Sequence, residues 1–403
     1  MASTKPLRDK RWEQRRRRKR EKGLPVKVAF LCENPAFWNS FESVVIAMKR
    51  DTRFEVVLIK LRYRVRRADG SCVYEPLDYS DVEERLGVTF LESYDEGRRR
   101  WINLKRMRPD YVFYLHPYDE IRHPSFKVKM VSRYARSCYI PYCISYANVG
   151  VEMLTASFYL YLYYYFVDSV GRIPHIKAFL KEPENMDDQH LLYLGYPRFD
   201  RAGGNKEITV SKESFTILWL PRWKSDTGEC HFFEYKNTLA KYAREHPACK
   251  LIFRPHPYCF QNFLVTGEMT QEEVEGLRTE YRERPELEMD ERGDYQPSFQ
   301  AANILVADPT SLIEEFFPTG KPVIFCANSI YDFTESTKKI APGLYLAPNQ
   351  EKLLALLDDL RKGEDPLKEK REQLIREAYS GMDGHAGERI KEEIGKDYFE
   401  LKK

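Results

Sequence analysis

An α/β fold built from two doubly wound domains is what this sequence predicts, on three observations. Short apolar runs rich in Val, Ile, Leu and Phe recur as buried parallel strands do, beginning at Val26, Phe54 and Tyr111 in one series and at Phe215, Cys249, Asn303 and Pro322 in another. Stretches with helical spacing of apolar residues separate them. A polar, Gly-rich and charged segment at 201–213 divides the two series and reads as a linker. At 403 residues the length suits two or three domains of roughly 150 residues each.

Residues 1–24 come first, a basic tail dominated by RRRRKR at 15–20, expected to be disordered. Residues 1–27 hold 12 Lys/Arg against 3 Asp/Glu, a charge of +9, and since the whole chain carries +3 the remainder carries −6. A solvated tail is the ordinary reading of such a run. Attraction to an anionic membrane surface is the functional one, at about 1 kcal/mol per basic residue. The acidic remainder contains no recognisable nucleic-acid module, so no nucleic acid partner is expected. No apolar segment follows the basic run as a secretory signal requires. The longest apolar-aromatic run, 158–167, is half of the ~20 residues a spanning helix needs. The eight cysteines form no C-x-x-C pair and no zinc-ligand spacing, as in a reduced, cytoplasmic protein.

The N-terminal domain is expected over 25–205. VKVAFLC is a strand, ENPAFWNS a loop, 41–48 a helix and FEVVLIK (54–60) the next strand, which makes a βαβ unit. Its turn has no G-x-G-x-x-G, so a dinucleotide fingerprint is absent. Further strands are predicted at 111–116, 138–146, 161–167 and 190–196, with helices at 81–87, 122–136 and 172–182. The C-terminal domain is expected over 206–383, with strands at 215–221, 249–255, 303–309 and 322–326. Helices are predicted near 232–246, 271–282, 310–317 and 350–362, and helical spacing resumes at 366–379. A last helix within 384–403 is expected to return to the first domain. Two Rossmann-like domains facing a central cleft make the GT-B architecture.

Chemistry concentrates at strand ends of the second series. Arg254-Pro255-His256-Pro257 follows the run LIF, and prolines on both sides of His256 stiffen its backbone. The preceding strand ends in Pro221-Arg222-Trp223-Lys224, adding two cations. After Asp308-Pro309, Thr310 or Ser311 is a plausible N-cap, with Glu314 placed to complete a capping box. Carboxyl ends of strands and starts of helices are where open α/β sheets bind phosphates. A lone His is more often structural; here Arg254 and the second βα loop converge with it.

LPRWKSD, IFRPHP, ADPTSLIEEFFPTGKPVIF and LGYPRFD resemble the motif series of the CDP-glycerol glycerophosphotransferase family, the teichoic-acid and capsule polyol-phosphate transferases. The resemblance is most specific over 195–325. It implies a GT-B fold and a transferase of the EC 2.7.8 type that moves glycerol phosphate, or a related polyol phosphate, from a CDP-polyol to a hydroxyl of a glycan or lipid-linked acceptor. CMP is released, and the setting is cell-surface polymer synthesis. By motif, His256 matches the essential histidine of R-x-H-P, and Asp308, Thr310 and Ser311 fill the D-x-[ST]-S pattern whose serine contacts donor phosphate. Arg222, Lys224 and Arg254 complete the expected donor set.

The family's W-H-G-type acceptor motif is absent. His116 and Asp119, in HPYDE after a first-domain strand, are the substitutes, against a structural reading in which Asp119 caps a helix. No metal or other cofactor is implied, since cations, positioning and a general base suffice for phosphoryl transfer. The localisation that follows is the inner face of the cell membrane, with the basic tail as the attachment. Two alternatives stay open: a GT-B glycosyltransferase using a nucleotide sugar or CMP-sugar, and a non-catalytic nucleotide- or polyanion-binding protein.

Overall fold

The computed structural model describes residues 8–66, 71–144, 156–180, 190–202, 214–225, 229–327, 335–379 and 382–400. The chain divides into two compact units. The first holds the described residues up to Cys143, those of 156–202 and those of 382–400; the second holds those of 214–379.

The sheet of the first unit has seven strands, all paired in parallel. From one edge to the other they are Leu191–Leu192, Tyr164–Phe166, Arg136–Tyr139, Tyr111–Tyr114, Val26–Cys32, Phe54–Lys60 and Phe90–Glu92. The central strands are buried on both faces, which is why they read as unbroken apolar runs. Phe30 stacks on Phe113 of the adjacent strand, and Phe113 lies parallel to Phe166 two strands away, with ring centroids 4.8 and 6.1 Å apart. Chain order reverses between Val26–Cys32 and Tyr111–Tyr114. Their carboxyl ends, which lead into Glu33 and His116, are therefore the switch point at which such sheets bind ligands.

The C-terminal helix, Ala386–Phe399, packs on the helix Asn39–Lys49 of this unit. The approach is close enough that a Cβ on Gly387 would lie 2.5 Å from the Ser43 backbone, so glycine is required there. The Asp200 carboxylate caps the helix start, accepting from the N–H groups of Ala386 (3.1 Å) and Gly387 (2.7 Å). Farther along, Asp397 accepts from Tyr111, Tyr163 and Arg136.

In the second unit six parallel strands run in the order Leu287–Met289, Cys249–Phe253, Phe215–Leu220, Ile304–Ala307, Val323–Phe325 and Tyr345–Leu346. Register places Ile217 between Leu251 and Ile304. Trp219, buried, stacks on Phe232 with centroids 5.8 Å apart and ties the first strand to the helix Phe232–Glu245. Order reverses between Phe215–Leu220 and Ile304–Ala307, so this unit's switch point lies at Arg222 and Asp308. The GT-B fold class read from the sequence describes the chain.

Four expectations are corrected. The basic run is not a disordered tail throughout: Arg8–Glu21 is a helix. Arg15 and Lys19 pair with the buried Asp110, at 3.0 and 2.5 Å, while Arg16 and Arg20 donate to the Glu400 and Phe399 carbonyls. The helix predicted at 122–136 shrinks to Val128–Val131 after a 3-10 turn at Pro124–Phe126, because the residue before Pro124 is held extended. The helix after Asp308 is only Leu312–Phe316, so its dipole is small, and Ser311 makes no side-chain cap bond. Its expected capping-box partner, Glu314, is buried and accepts from Thr337.

Candidate active site

Asp308 organises the switch point of the second unit. It is buried at the end of Ile304–Ala307, and its Oδ2 accepts from the backbone N–H of Arg222 (2.8 Å) and of His231 (2.9 Å). Its Oδ1 lies 2.6 Å from His231 Nδ1. A carboxylate only accepts, so the Nδ1 proton of His231 faces Asp308. The loop between the strand Phe215–Leu220 and the next helix is thus strapped to a strand 77 residues away in sequence, and His231 stacks on Tyr235.

Arg222, on that loop, has spare donor capacity. Its guanidinium is 3.7 Å from Glu229, and its Nε, buried, has no hydrogen-bond partner among the described residues. A buried N–H without an acceptor costs about 1–3 kcal/mol, which an anion would recover. Trp223 follows and stacks on His256, 5.3 Å between centroids, and Tyr258 closes the group at 5.5 Å from His256. The Tyr258 N–H donates to His256 Nδ1 (3.1 Å), which fixes the tautomer with its proton on Nε2. Desolvation by the surrounding groups, and then the Arg222 charge, pull the His256 pKa down to about 4, although the residue is exposed to solvent, which weakens the desolvation. Both effects favour a neutral imidazole that donates from Nε2 near pH 7.

Arg254 differs from expectation. Its guanidinium is committed to Asp290 (2.6 Å) and to the carbonyls of Arg292 (2.7 Å), Gly293 (3.4 Å) and Asp294 (3.5 Å). It holds the 290–294 loop beneath the site and does not reach out of it. Thr310 Oγ1 accepts from the Leu312 N–H at 3.3 Å, and Lys224 sits half-buried beside Trp223.

At the first unit's switch point, Glu33 receives a bidentate bond from Arg122, Nε to Oε1 at 2.5 Å and a second N–H to Oε2 at 3.0 Å. Glu33 also accepts from the His116 backbone N–H at 3.2 Å. The His116 ring is buried, with Nδ1 3.6 Å from Glu33 and without a hydrogen bond among the described residues. Burial lowers its pKa to about 4, Glu33 opposing and Arg122 adding to the shift, so the ring is neutral near pH 7. Asp119 accepts from the Val128 N–H with both oxygens (3.1 Å) and from Arg122 (2.7 Å). That is the capping role, and it leaves Asp119 poorly placed as a base. Among the described residues no group of three His, Cys, Asp or Glu side chains could hold a metal ion, and no helix is long and apolar enough to cross a membrane.

The family described as CDP-Glycerol:Poly(glycerophosphate) glycerophosphotransferase matches residues 169–396, more than half of the chain. The chain belongs to this family. The teichoic acid ribitol-phosphate polymerase TarK of Staphylococcus aureus (strain NCTC 8325 / PS 47) is 23% identical over 255 residues, 57% of this chain and 47% of TarK. The chain thus spans about half the length of the curated relative it matches. Among solved structures, the wall teichoic acid polymerase TagF superposes with a TM-score of 0.56 at 14% identity, covering 98% of each chain. The UDP-GlcNAc 2-epimerase of Neisseria meningitidis superposes at 0.59 with 12% identity, covering 92% of this chain and all of that one. At these identities the structures show the shared fold alone.

Within this glycerophosphotransferase family chain, the structure brings Arg222, Asp308, Trp223 and His256 to neighbouring strand ends, and turns Arg254 and Asp119 to support. His231 escaped the sequence reading. It belongs to no local motif, and its partner is distant in sequence. Arg122 was passed over as one of many arginines; only the buried Glu33 beside it distinguishes it.

Proposed function

We propose that the protein transfers glycerol phosphate, or a related polyol phosphate, from a CDP-polyol to a hydroxyl of a glycan or lipid-linked acceptor, with release of CMP, in the synthesis of a cell-surface polymer of the teichoic-acid or capsule kind. The observation that carries the reading is the pairing of His256, a neutral donor held by Trp223 and Tyr258, with Arg222, a half-buried cation whose buried Nε–H lacks an acceptor among the described residues, in a chain of this family.

In this reading the second unit holds the donor diphosphate. Arg222 and His256 Nε2–H meet its oxygens, with Lys224, Thr310 and Ser311 as further phosphate contacts, while Asp308 and Arg254 fix the loops that carry them. The acceptor hydroxyl forms a new P–O bond to the polyol-bearing phosphorus and the bond to CMP breaks. His116 Nε2 takes the hydroxyl proton. Charge gathering on the departing CMP is met by donors already in place, the usual main source of rate in such transfers. No cofactor is required. The protein acts at the cytoplasmic face of the membrane, where Arg17 and Arg18, exposed on the basic helix, meet anionic lipid.

The test is incubation with CDP-glycerol, CDP-ribitol and common nucleotide sugars, each with candidate acceptors. CMP release together with a new phosphodiester resonance in phosphorus NMR supports the reading. CMP release without a phosphodiester points to sugar transfer, and binding without turnover to a non-catalytic role.

A further inference from the structure

Around His116, at the switch point of the first unit, stands a group of aromatic rings that the transfer chemistry does not use. Phe37 lies edge-on to the imidazole at 4.9 Å, Tyr142 edge-on at 4.7 Å, and Tyr118 tilted at 5.9 Å. Phe37 and Tyr142 are 4.6 Å apart, and the two tyrosine hydroxyls approach to 3.4 Å. All three aromatic residues are half-buried, so each keeps some surface accessible, whereas the imidazole they surround is 95% buried, from a residue exposure of 5%. Buried Nδ1 of His116 has no hydrogen bond among the described residues. A buried imidazole with an unbonded Nδ1, walled by rings that pair hydroxyls with apolar faces, suits a ligand that is itself both apolar-faced and hydroxylated.

The charges around the group narrow the chemistry. Two guanidiniums approach it, and both are buried and directed away. Arg122 is spent on Glu33, Asp119 and the His116 carbonyl, and Arg198 donates to the Tyr142 carbonyl. The carboxylates of Glu33 and Asp119 offset the two positive charges of Arg122 and Arg198. A phosphodiester placed here would receive no donor from these two committed guanidiniums and would pay to lose its water. A pyranose ring would not. Its C–H face packs on aromatic surface and its hydroxyls bond to imidazole and phenol groups, as amphipathic rings do in sites with a few placed polar groups.

We propose that Phe37, His116, Tyr118 and Tyr142 form a subsite for a neutral sugar ring, so that the acceptor is a glycan hydroxyl and not the end of a polyanionic polyol-phosphate chain. This rests on the transferase reading above and specifies its acceptor.

The test uses the full chain, with CDP-glycerol as donor and two probes: neutral oligosaccharides of hexose and N-acetylhexosamine units, and oligo(glycerol phosphate). Acceptor-dependent CMP release with a neutral oligosaccharide, and less than a tenth of it with oligo(glycerol phosphate), is expected. Tyr142→Ala and Phe37→Ala should raise the KM for the oligosaccharide about tenfold while the KM for CDP-glycerol stays within about twofold, the loss of one aromatic contact being worth roughly 1 kcal/mol. Tyr118→Ala serves if either of those fails to fold, and saturation-transfer NMR of the oligosaccharide reads binding without turnover. Preference for oligo(glycerol phosphate), or an oligosaccharide KM untouched by folded variants, overturns the subsite. Absence of CMP release with every acceptor, while saturation transfer to the oligosaccharide persists and is lost in the variants, would instead remove the transferase reading and leave the sugar subsite standing.

Discussion

His231 Nδ1 lies 2.6 Å from Asp308 Oδ1, and the same carboxylate accepts from the backbone of His231 and of Arg222. One buried side chain therefore sets a histidine's tautomer and the entry of the loop that presents Arg222 and Trp223. Asp308→Asn keeps a carbonyl oxygen for the backbone donors but cannot take the Nδ1 proton as a carboxylate does. It should melt within a few degrees of the native protein while losing at least about tenfold in turnover. Asp308→Ala strands two backbone N–H groups and an imidazole, and should destabilise by several kcal/mol. Native turnover in Asp308→Asn would reduce the pair to a structural strap.

His256→Ala is expected to fold and to lose about 10²–10³-fold in kcat/KM, the scale seen when a preorganised transition-state donor is removed. Ser311→Ala should retain partial activity, because it makes no capping bond whose loss would disturb the loop. Specific activity near normal in folded His256→Ala would sink the mechanism.

Acid sensitivity should trace to His116. Its folded pKa of about 4 lies below the ordinary 6.5, so between those values the unfolded chain binds a proton that the native state does not. Stability conferred by keeping this ring neutral is present above pH 6.5 and is lost as pH falls toward 4. Its size is at most a few kcal/mol. In His116→Asn, urea unfolding at pH 5 and pH 7 should differ less than in the native protein. An unchanged difference would place the acid sensitivity elsewhere. Asp119→Ala should cost about 1–2 kcal/mol through the lost Val128 cap, with kcat largely kept.

The GT-B class was readable because parallel strands buried on both faces are nearly continuous apolar runs. VKVAFLC and FTILWL fall on observed strands almost residue for residue. Strands of two or three residues, such as Leu191–Leu192 and Tyr345–Leu346, carry too little pattern to mark their ends. The antiparallel pairs Tyr63–Arg66 with Cys72–Glu75 and Tyr94–Asp95 with Arg100–Trp101 also went unseen, their strands of two to four residues being charged and polar rather than apolar. In the site, His256 was legible from its flanking prolines. What its neighbours do was not: Arg254 faces Asp290 and Asp119 faces Val128 through contacts that only the folded chain defines.

The basic N-terminus offers the last prediction. A tail attached only by long-range attraction would leave 15–20 open to protease and indifferent to any single residue of the body. The structure instead sets Arg15 and Lys19 against Asp110, whose carboxylate also accepts from the Lys27 N–H at 2.9 Å. Asp110→Asn keeps an oxygen for Lys27 but removes the charge that the two cations share. Exposed ion pairs are worth little, but this carboxylate is almost wholly buried, and leaving buried charges unpaired is costly. The helix Arg8–Glu21 should then loosen while the sheet stays intact. Brief trypsin treatment should cut Asp110→Asn within 15–20 several times faster than the native chain, with far-ultraviolet circular dichroism changed only by the loss of one helix. Because Arg17 and Arg18 already face outward, binding to anionic vesicles should persist or rise in the variant and fall with salt. Equal cleavage rates would mean that Asp110 does not hold the helix, and salt-insensitive vesicle binding would remove electrostatics as the membrane attachment.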